Sequence, residues 1–425
     1  MNSFDEVDYY TDAAIIDDPY PYFDYLRATG PVQRLKARNV VAVTGYEEAV
    51  KVSLDTEHFS AVNAVIGSNF ELPFEVEGDD IADKIERHRE HIPFATQVVT
   101  LDGAEHARLR ALLTPLFTPA RLKAKAAGFR AVSDQLIDEF VDTGKIELVK
   151  GYGGPFATLI ITELLGIPEE DRPLFREYLK GATVGDVNAT PEQNAINPLL
   201  LMAGKIGEYL LDRRQNPRSD VLSELATSRF RDGQVPPIEQ LTGLASFLFG
   251  AGQDTTARLL GNTFRVIAQR KDLQDLLRAQ PDKIPAFIEE QLRYEGSVKS
   301  GGRLCIRSTT VGGVDIKAGD KVMLVHLAAN RDPRRFPDPA TFKMDRPRAA
   351  EHMAFGRGAH TCIGAPLARL ETRISIERLL ERLGEIRLSE EHHGPAGARA
   401  FHYDPTYVLR AISALHLEFT PSHFS

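Results

Sequence analysis

Apolar positions recur every three to four residues along most of this 425-residue chain, the spacing of amphipathic helices packed on a core. PYPYFDYLRATG predicts a helix that stops at Gly30, before Pro31. PVQRLKARNVVAVTG changes to β-branched runs and predicts a hairpin, and GYEEAVKVSLD returns to helix. Residues 60–100 keep no clear period and read as a long irregular excursion carrying Phe70, Phe74, Ile81, Ile92 and Phe94. Loops of that length are uncommon in compact domains and often border sites. Helical spacing resumes at HARLRALLTPLFTP and lasts to about Asp142; TGKIELV reads as a strand, and helices return from about Gly154 to Ala226.

The longest uninterrupted helical pattern covers residues 237–270, about 50 Å at ~1.5 Å per residue, enough to cross a whole domain. DKIPAFIEEQLRYEG predicts a second helix, followed by short β-like runs in RLCIRST, VDI and KVMLVHLAANR. LARLETRISIERLLERL predicts another helix, and HYDPTYVLRAISALHLEFTP a closing hairpin. No internal repeat and no Gly/Pro-rich linker divides the chain. One large, mainly α domain over 1–425 is expected, its small β-rich part lying mainly in 31–60, 303–330 and 400–420.

Composition narrows the function. A net charge of -9 favours neither nucleic acid nor an anionic membrane surface. Two cysteines, Cys305 and Cys362, argue against a secreted disulfide framework and fit a reducing cytosol. The N-terminal stretch is acidic, with no apolar run, so neither a signal peptide nor a membrane anchor is expected and a cytoplasmic location follows.

The chemistry concentrates in a few runs. In FGRGAHTCIGAPLARLE, Cys362 sits among glycines just ahead of a helix. There the unpaired N–H groups and the positive end of the helix dipole favour thiolate. Gly356, Gly358 and Gly364 permit positive φ or close approach to something bulky and flat. A thiolate held this way suits an axial ligand to haem iron; the alternative is an inert buried cysteine, the reading given to Cys305. The long helix carries Gly250, Ala251, Gly252, Gln253, Asp254, Thr255 and Thr256 at its centre, poor helix formers that either bend a core helix or open a local space. Glu290 and Arg293 share one helix face at i, i+3, commonly just a solvated ion pair. His106 and Arg110, at i, i+4, put two cationic donors over one point and suit two carboxylates.

Taken together, these runs resemble the cytochrome P450 family. F-G-x-G-x-H-x-C-x-G-x-x-L-A-R-x-E matches its haem loop through Phe355, Gly356, Gly358, His360, Cys362, Gly364, Leu367, Ala368 and Glu371. AGQDTT matches A-G-x-D-T-T, and the likeness extends from DPYPYFDYLRATGPV through NRDPRRFPDP. The resemblance implies a triangular, mainly α fold with haem b between the long helix and the Cys362 loop. It implies Cys362 as the axial thiolate, with Ala251, Gly252 and Phe355 also beside the haem. His106, Arg110, Arg303 and His360 would hold the propionates. Thr255 would hold dioxygen and a water, with Asp254 relaying protons. Glu290, Arg293 and Arg346 would form a structural cluster beneath the haem loop, with Glu289 pointing elsewhere.

The implied activity is a soluble bacterial-type monooxygenase. It would insert one oxygen of O2 into a small to medium apolar substrate, by hydroxylation or oxidative dealkylation. Electrons would come from NAD(P)H through a separate ferredoxin reductase and ferredoxin. Candidate pocket residues are Phe70, Phe74, Phe94, Phe247, Leu248, Val298, Lys299 and Tyr407. Arg108, Lys123, Lys125 and Arg369 are candidate docking cations for an acidic ferredoxin. Gly103 and the glycine-rich EGSVKSGGR depart from the common family pattern and touch the pocket wall and haem edge. Two other functions compete: a haem-thiolate enzyme driven by peroxide or needing no external electrons, and a non-catalytic haem binder. The Asp254–Thr255 pair argues against both. A cysteine hydrolase lacks a partnering His–Asn pattern.

Overall fold

A computed structural model describes residue 4 and residues 7–68, 70–178, 187 and 198–421. The helix expected over 237–270 runs as Ile238–Gln269, 32 residues, entered through Pro237. Its buried face, from Leu241 to Ile267, lies in the largest apolar cluster. Helices Pro119–Asp138, Gly154–Leu165, Ile284–Glu295 and Ala365–Arg382 contribute much of that core. Gly261 shows how closely the elements meet: a Cβ there would stand 2.7 Å from Ile412 Cγ2. The expected helical stretch from Gly154 to Ala226 includes Gly154–Leu165, Arg172–Tyr178, Pro198–Gln215 and Val221–Ala226. Apart from residue 187, its residues 179–197 lie outside the described ones.

The β structure gathers segments far apart in sequence. Val32–Leu35 pairs antiparallel with Val40–Val43, which lies parallel to Lys321–Leu324. That strand pairs antiparallel with Gly301–Cys305, and Phe59–Ser60 closes the edge. Cys305 is buried in this sheet, its thiol pushed up to about 12 chiefly by burial.

Several expectations need correction. The irregular stretch 60–100 contains a helix, Ala82–His88, anchored by Ile81 and Ile85. A further helix, Lys271–Ala279, separates the long helix from Ile284–Glu295. Within KVMLVHLAANR, the strand ends at Leu324 and His326–Ala329 is a short helix. The closing hairpin is only Tyr403–Asp404 with Ala411–Ile412. The remaining run, His416–Pro421, joins a separate sheet between Lys145–Glu147, the strand expected in TGKIELV, and Leu383–Leu388, a strand that was not expected.

Candidate functional site: a thiol loop facing the central helix

Cys362 lies between Phe355 and the helix Ala365–Arg382. Its N–H donates to the Phe355 carbonyl at 2.8 Å, closing the loop. Gly356 and Gly358 have φ of +66° and +73°, and a Cβ on Gly358 would stand 2.6 Å from the Ser53 carbonyl oxygen. Both therefore suit glycine, whereas Gly364 has φ -79° and lies close to the Cys362 sulfur instead.

The N–H groups of Gly364 and Ala365 and the charges of Arg110 and Arg369 all favour the thiolate form of that sulfur. Burial outweighs them and leaves the thiol above its ordinary range, against the sequence expectation of a lowered value. Cys362 nevertheless keeps accessible surface. A sulfur ringed by protein atoms, favoured as thiolate by two N–H groups and still accessible, fits a group awaiting a metal's positive charge.

The basic residues gather beside it. His106 stacks on His360 with ring centroids 4.1 Å apart. Arg110 donates to the Thr361 carbonyl, next to Cys362. Burial, His360 and Arg110 push His106 down to about 4. Burial likewise lowers Arg303, which Asp102 alone opposes, and the guanidinium donates only to the carbonyl of its neighbour Gly302 among the described residues.

Sequence reasoning overlooked Asp102. It lies 3.8 Å from His360 Nε2 and 3.8 Å from Arg89, and accepts from the Ser60 hydroxyl and the Ala61 N–H. Burial pushes its carboxyl up, but His360, Ser60 and Ala61 together hold it below the usual range. His326, also overlooked, packs against Gly301, and its buried Nδ1 has no partner among the described residues. Burial and the charge of Arg303 push it down to about 4. Four basic side chains with one carboxylate among them, plus an orphaned imidazole nitrogen, fit a dianionic group such as the two haem propionates.

The central helix supplies the opposing wall. Gly243, Phe247, Ala251 and Thr255 recur at i, i+4 and all keep accessible surface, while Leu244, Ala245, Leu248 and Phe249 are buried. Gly252 is half-buried beside Ile161. The helix stays continuous through its glycines, and the Thr255 hydroxyl donates to the Ala251 carbonyl at 2.7 Å. Next to it, the Thr256 hydroxyl donates to Glu371 Oε2 at 2.9 Å, tying the central helix to the helix that follows Cys362. Asp254 turns away from Thr255 to a neighbour the sequence reading missed. Its Oδ1 accepts from Arg258 Nε at 3.0 Å, and its buried Oδ2 has no partner among the described residues. Burial leaves its carboxyl above the usual range despite that cation.

Glu290, Arg293 and Arg346 form one buried cluster. Arg293 meets Glu290 through two bonds of 2.7 and 2.8 Å, and Arg346 Nε reaches the same carboxylate at 3.0 Å. The remaining guanidinium donors fix the carbonyls of Asn330, Pro339 and Thr341. Glu289 points elsewhere, to Arg369 and His352.

The pocket candidates scatter. Phe70 and Phe74 pack in a small core cluster with Ile81, Ile85 and Leu304, Phe74 against His88. Phe94 is 46% exposed. Leu248 is buried in the main core, and Phe247 packs at its edge. Val298 is half-buried and bridges Leu409. Lys299 is buried over the Tyr9 and Tyr10 rings and pushed down to about 7 by burial and Arg410, while the Tyr407 ring packs at a tilt against Tyr10. Of the docking cations, Arg108 lies over Phe230 and Arg369 is tied to Glu289; Lys123 is exposed and Lys125 half-buried.

Comparison with known proteins agrees with this geometry. The family model for cytochrome P450 matches residues 201–386. Cytochrome P450 monooxygenase PikC of Streptomyces venezuelae is 33% identical over 387 residues, 87% of this chain and 85% of PikC. Cytochrome P450 144 of Mycobacterium tuberculosis is 31% identical over 89% of this chain and 86% of its own. The substrate-free structure of Mycobacterium marinum CYP150A6 superposes with a TM-score of 0.92 at 47% identity, covering 99% of this chain and 100% of that one. P450BioI, solved with an acyl carrier protein bearing hexadec-9Z-enoic acid, gives a TM-score of 0.80 at 27% identity over 96% of this chain and 99% of its own. Relatives matched over most of their length, and a shared fold around the thiol loop, lead to one conclusion: this chain belongs to the cytochrome P450 family of haem-thiolate monooxygenases.

Proposed function

We propose that the chain hydroxylates or oxidatively dealkylates a small to medium apolar substrate, taking electrons from NAD(P)H through a separate reductase and ferredoxin. The observation that carries this is the placement of Cys362. Its sulfur lies where the Gly364 and Ala365 N–H groups favour thiolate, beside a cationic cradle, and the loop's helix is tied through Glu371 to Thr256, next to Thr255. Haem, when bound, supplies the redox chemistry that activates O2.

The protein's own residues do the rest. Cys362 would hold the iron as thiolate, a form that the Gly364 and Ala365 N–H groups favour. His106, Arg110, Arg303 and His360 hold the propionates, and Phe355, Ala251 and Gly252 border the ring. The Thr255 hydroxyl exchanges its bond to the Ala251 carbonyl for one to the oxygen substrate and passes protons on, with Asp254 as the acid behind it. Glu290, Arg293 and Arg346 keep the loop's underside rigid. Phe247, Val298, Lys299 and Tyr407 are the pocket candidates that remain. Lys123 and Lys125 offer cations to an acidic ferredoxin. Among the described residues no helix is long and apolar enough to cross a membrane.

The test is turnover. Compounds that convert the low-spin Soret band to high-spin are incubated with NAD(P)H, a ferredoxin and its reductase under isotopically labelled O2. One labelled oxygen in the product supports the proposal. Product formed with peroxide alone, and none with the electron-transfer partners, contradicts it. Thr255→Ala is expected to keep haem and substrate binding but release reducing equivalents as peroxide. Unchanged coupling of NAD(P)H to product would contradict the proton-handling role.

A further inference from the structure

The Asp254 carboxylate shares its cation with a second acid 150 residues away. Arg258 Nε binds Asp254 Oδ1 at 3.0 Å, and its Nη2 lies 3.3 Å from Asp404 Oδ2. Nη1 donates to the Ile412 carbonyl at 2.8 Å, a contact made possible by Gly261, where the two segments nearly touch. Asp404 is fixed from the other side by the Ser413 hydroxyl at 2.6 Å. The two acids differ in setting. Asp254 is 6% exposed, with Oδ2 unpartnered among the described residues. Asp404 has a side chain 26% accessible and faces a cleft with room for about one water molecule, walled by Tyr9, Lys299, Tyr403 and Arg410.

We propose that Asp404 is a positioning residue for proton delivery: by competing for Arg258 it keeps that cation from holding Asp254 permanently ionised. This rests on the reading of Asp254 and Thr255 as the proton-handling pair. A buried carboxylate given sole use of an adjacent guanidinium stays charged and cannot serve as an acid at neutral pH. Sharing the guanidinium weakens that hold, and the negative charge of Asp404 itself favours the protonated form of Asp254. When Asp254 takes a proton, Arg258 keeps a partner in Asp404, so no cation is stranded in the core. The other charged groups near Asp404 are already engaged: Arg265 and Arg410 meet Glu295, and Asp17 accepts the Tyr403 N–H and faces His402. Lys299 lines the same cleft without an ion-pair partner among the described residues and stacks on Tyr9.

The experiment uses haem-loaded protein and three variants: Asp404→Asn, Asp404→Glu and Asp254→Asn. The first readout is the infrared carbonyl band of protonated Asp254, assigned by its loss in Asp254→Asn and followed against pH. The second is the fraction of NAD(P)H electrons lost as peroxide, also against pH. Asp404→Asn is expected to move the midpoints of both down by on the order of one pH unit, with haem still bound, and Asp404→Glu to restore both. Profiles of Asp404→Asn that coincide with wild type, while Asp254→Asn and Thr255→Ala still leak peroxide, overturn this inference alone. If Asp254→Asn and Thr255→Ala both stay fully coupled, the underlying reading fails instead.

Discussion

Glu371 gives the account a quantitative handle. It is 2% exposed, in the helix after the thiol loop, and its Oε2 accepts from the Thr256 hydroxyl at 2.9 Å. Burial pushes its carboxyl up to about 8, the Thr256 hydroxyl pulling the other way. The folded protein therefore keeps a proton that the unfolded chain sheds between about pH 4.5 and about pH 8. Because the folded state binds more protons in that window, stability from this group is whole below about pH 4.5 and falls as pH rises toward 8. At ~1.4 kcal/mol per pH unit the loss has a ceiling of roughly 5 kcal/mol. Glu371→Gln keeps the shape, stays neutral at every pH and still accepts from Thr256. It is expected to match wild type at pH 5 and gain over it progressively to pH 8.5. At on the order of 1 °C per kcal/mol for a chain this long, the gain is a few degrees in melting temperature. Thermal melts of haem-loaded wild type and variant across that range provide the test. Parallel curves would refute the reasoning, since they would mean that Glu371 is ionised in the fold.

Lys299 carries the opposite sign. Its folded value near 7 lies below the ordinary 10.5, so the unfolded chain holds the extra proton and stability rises with pH between them. Lys299→Met is expected to stabilise most at or below pH 7 and to flatten that rise in denaturant titrations; an unchanged slope would mean that the ammonium finds a partner. Arg293→Ala leaves the buried Glu290 with Arg346 as its one cation among the described residues and removes a donor from the carbonyls of Asn330, Pro339 and Thr341. A loss on the order of 3–5 kcal/mol and poor haem retention are expected, measured by denaturation and by the haem-to-protein absorbance ratio. A variant as stable as wild type would show the cluster to be dispensable.

What the sequence disclosed follows the range of each interaction. The central helix was legible to within a residue at each end because its periodicity is local and Pro237 marks its start. The thiol loop was legible for the same reason: glycines, Cys362 and the following helix lie within one short run. The sheet that joins Lys145–Glu147 to His416–Pro421 was not, because nothing in either strand announces a partner some 270 residues away. Ala82–His88 was missed because ADKIERH is nearly all polar and buries only Ile85. The same holds for chemistry. Asp102, Arg258 and Asp404 look ordinary in sequence and acquire meaning only where the fold brings them to His360 and Asp254. Glu371 lies in the motif that carries the family resemblance, yet its bond to Thr256 spans 115 residues. Phe70 and Phe74 illustrate the converse: aromatic residues on a long loop serve a local core cluster.

The most direct test of the account is the carbon monoxide spectrum of the reduced, haem-loaded protein beside that of Cys362→Ser. The account predicts a strongly red-shifted Soret band in the wild type and its loss in the variant, with haem still bound through His106, Arg110, Arg303 and His360. A red-shifted band that survives the substitution, or wild-type protein that takes up no haem on reconstitution, would contradict it.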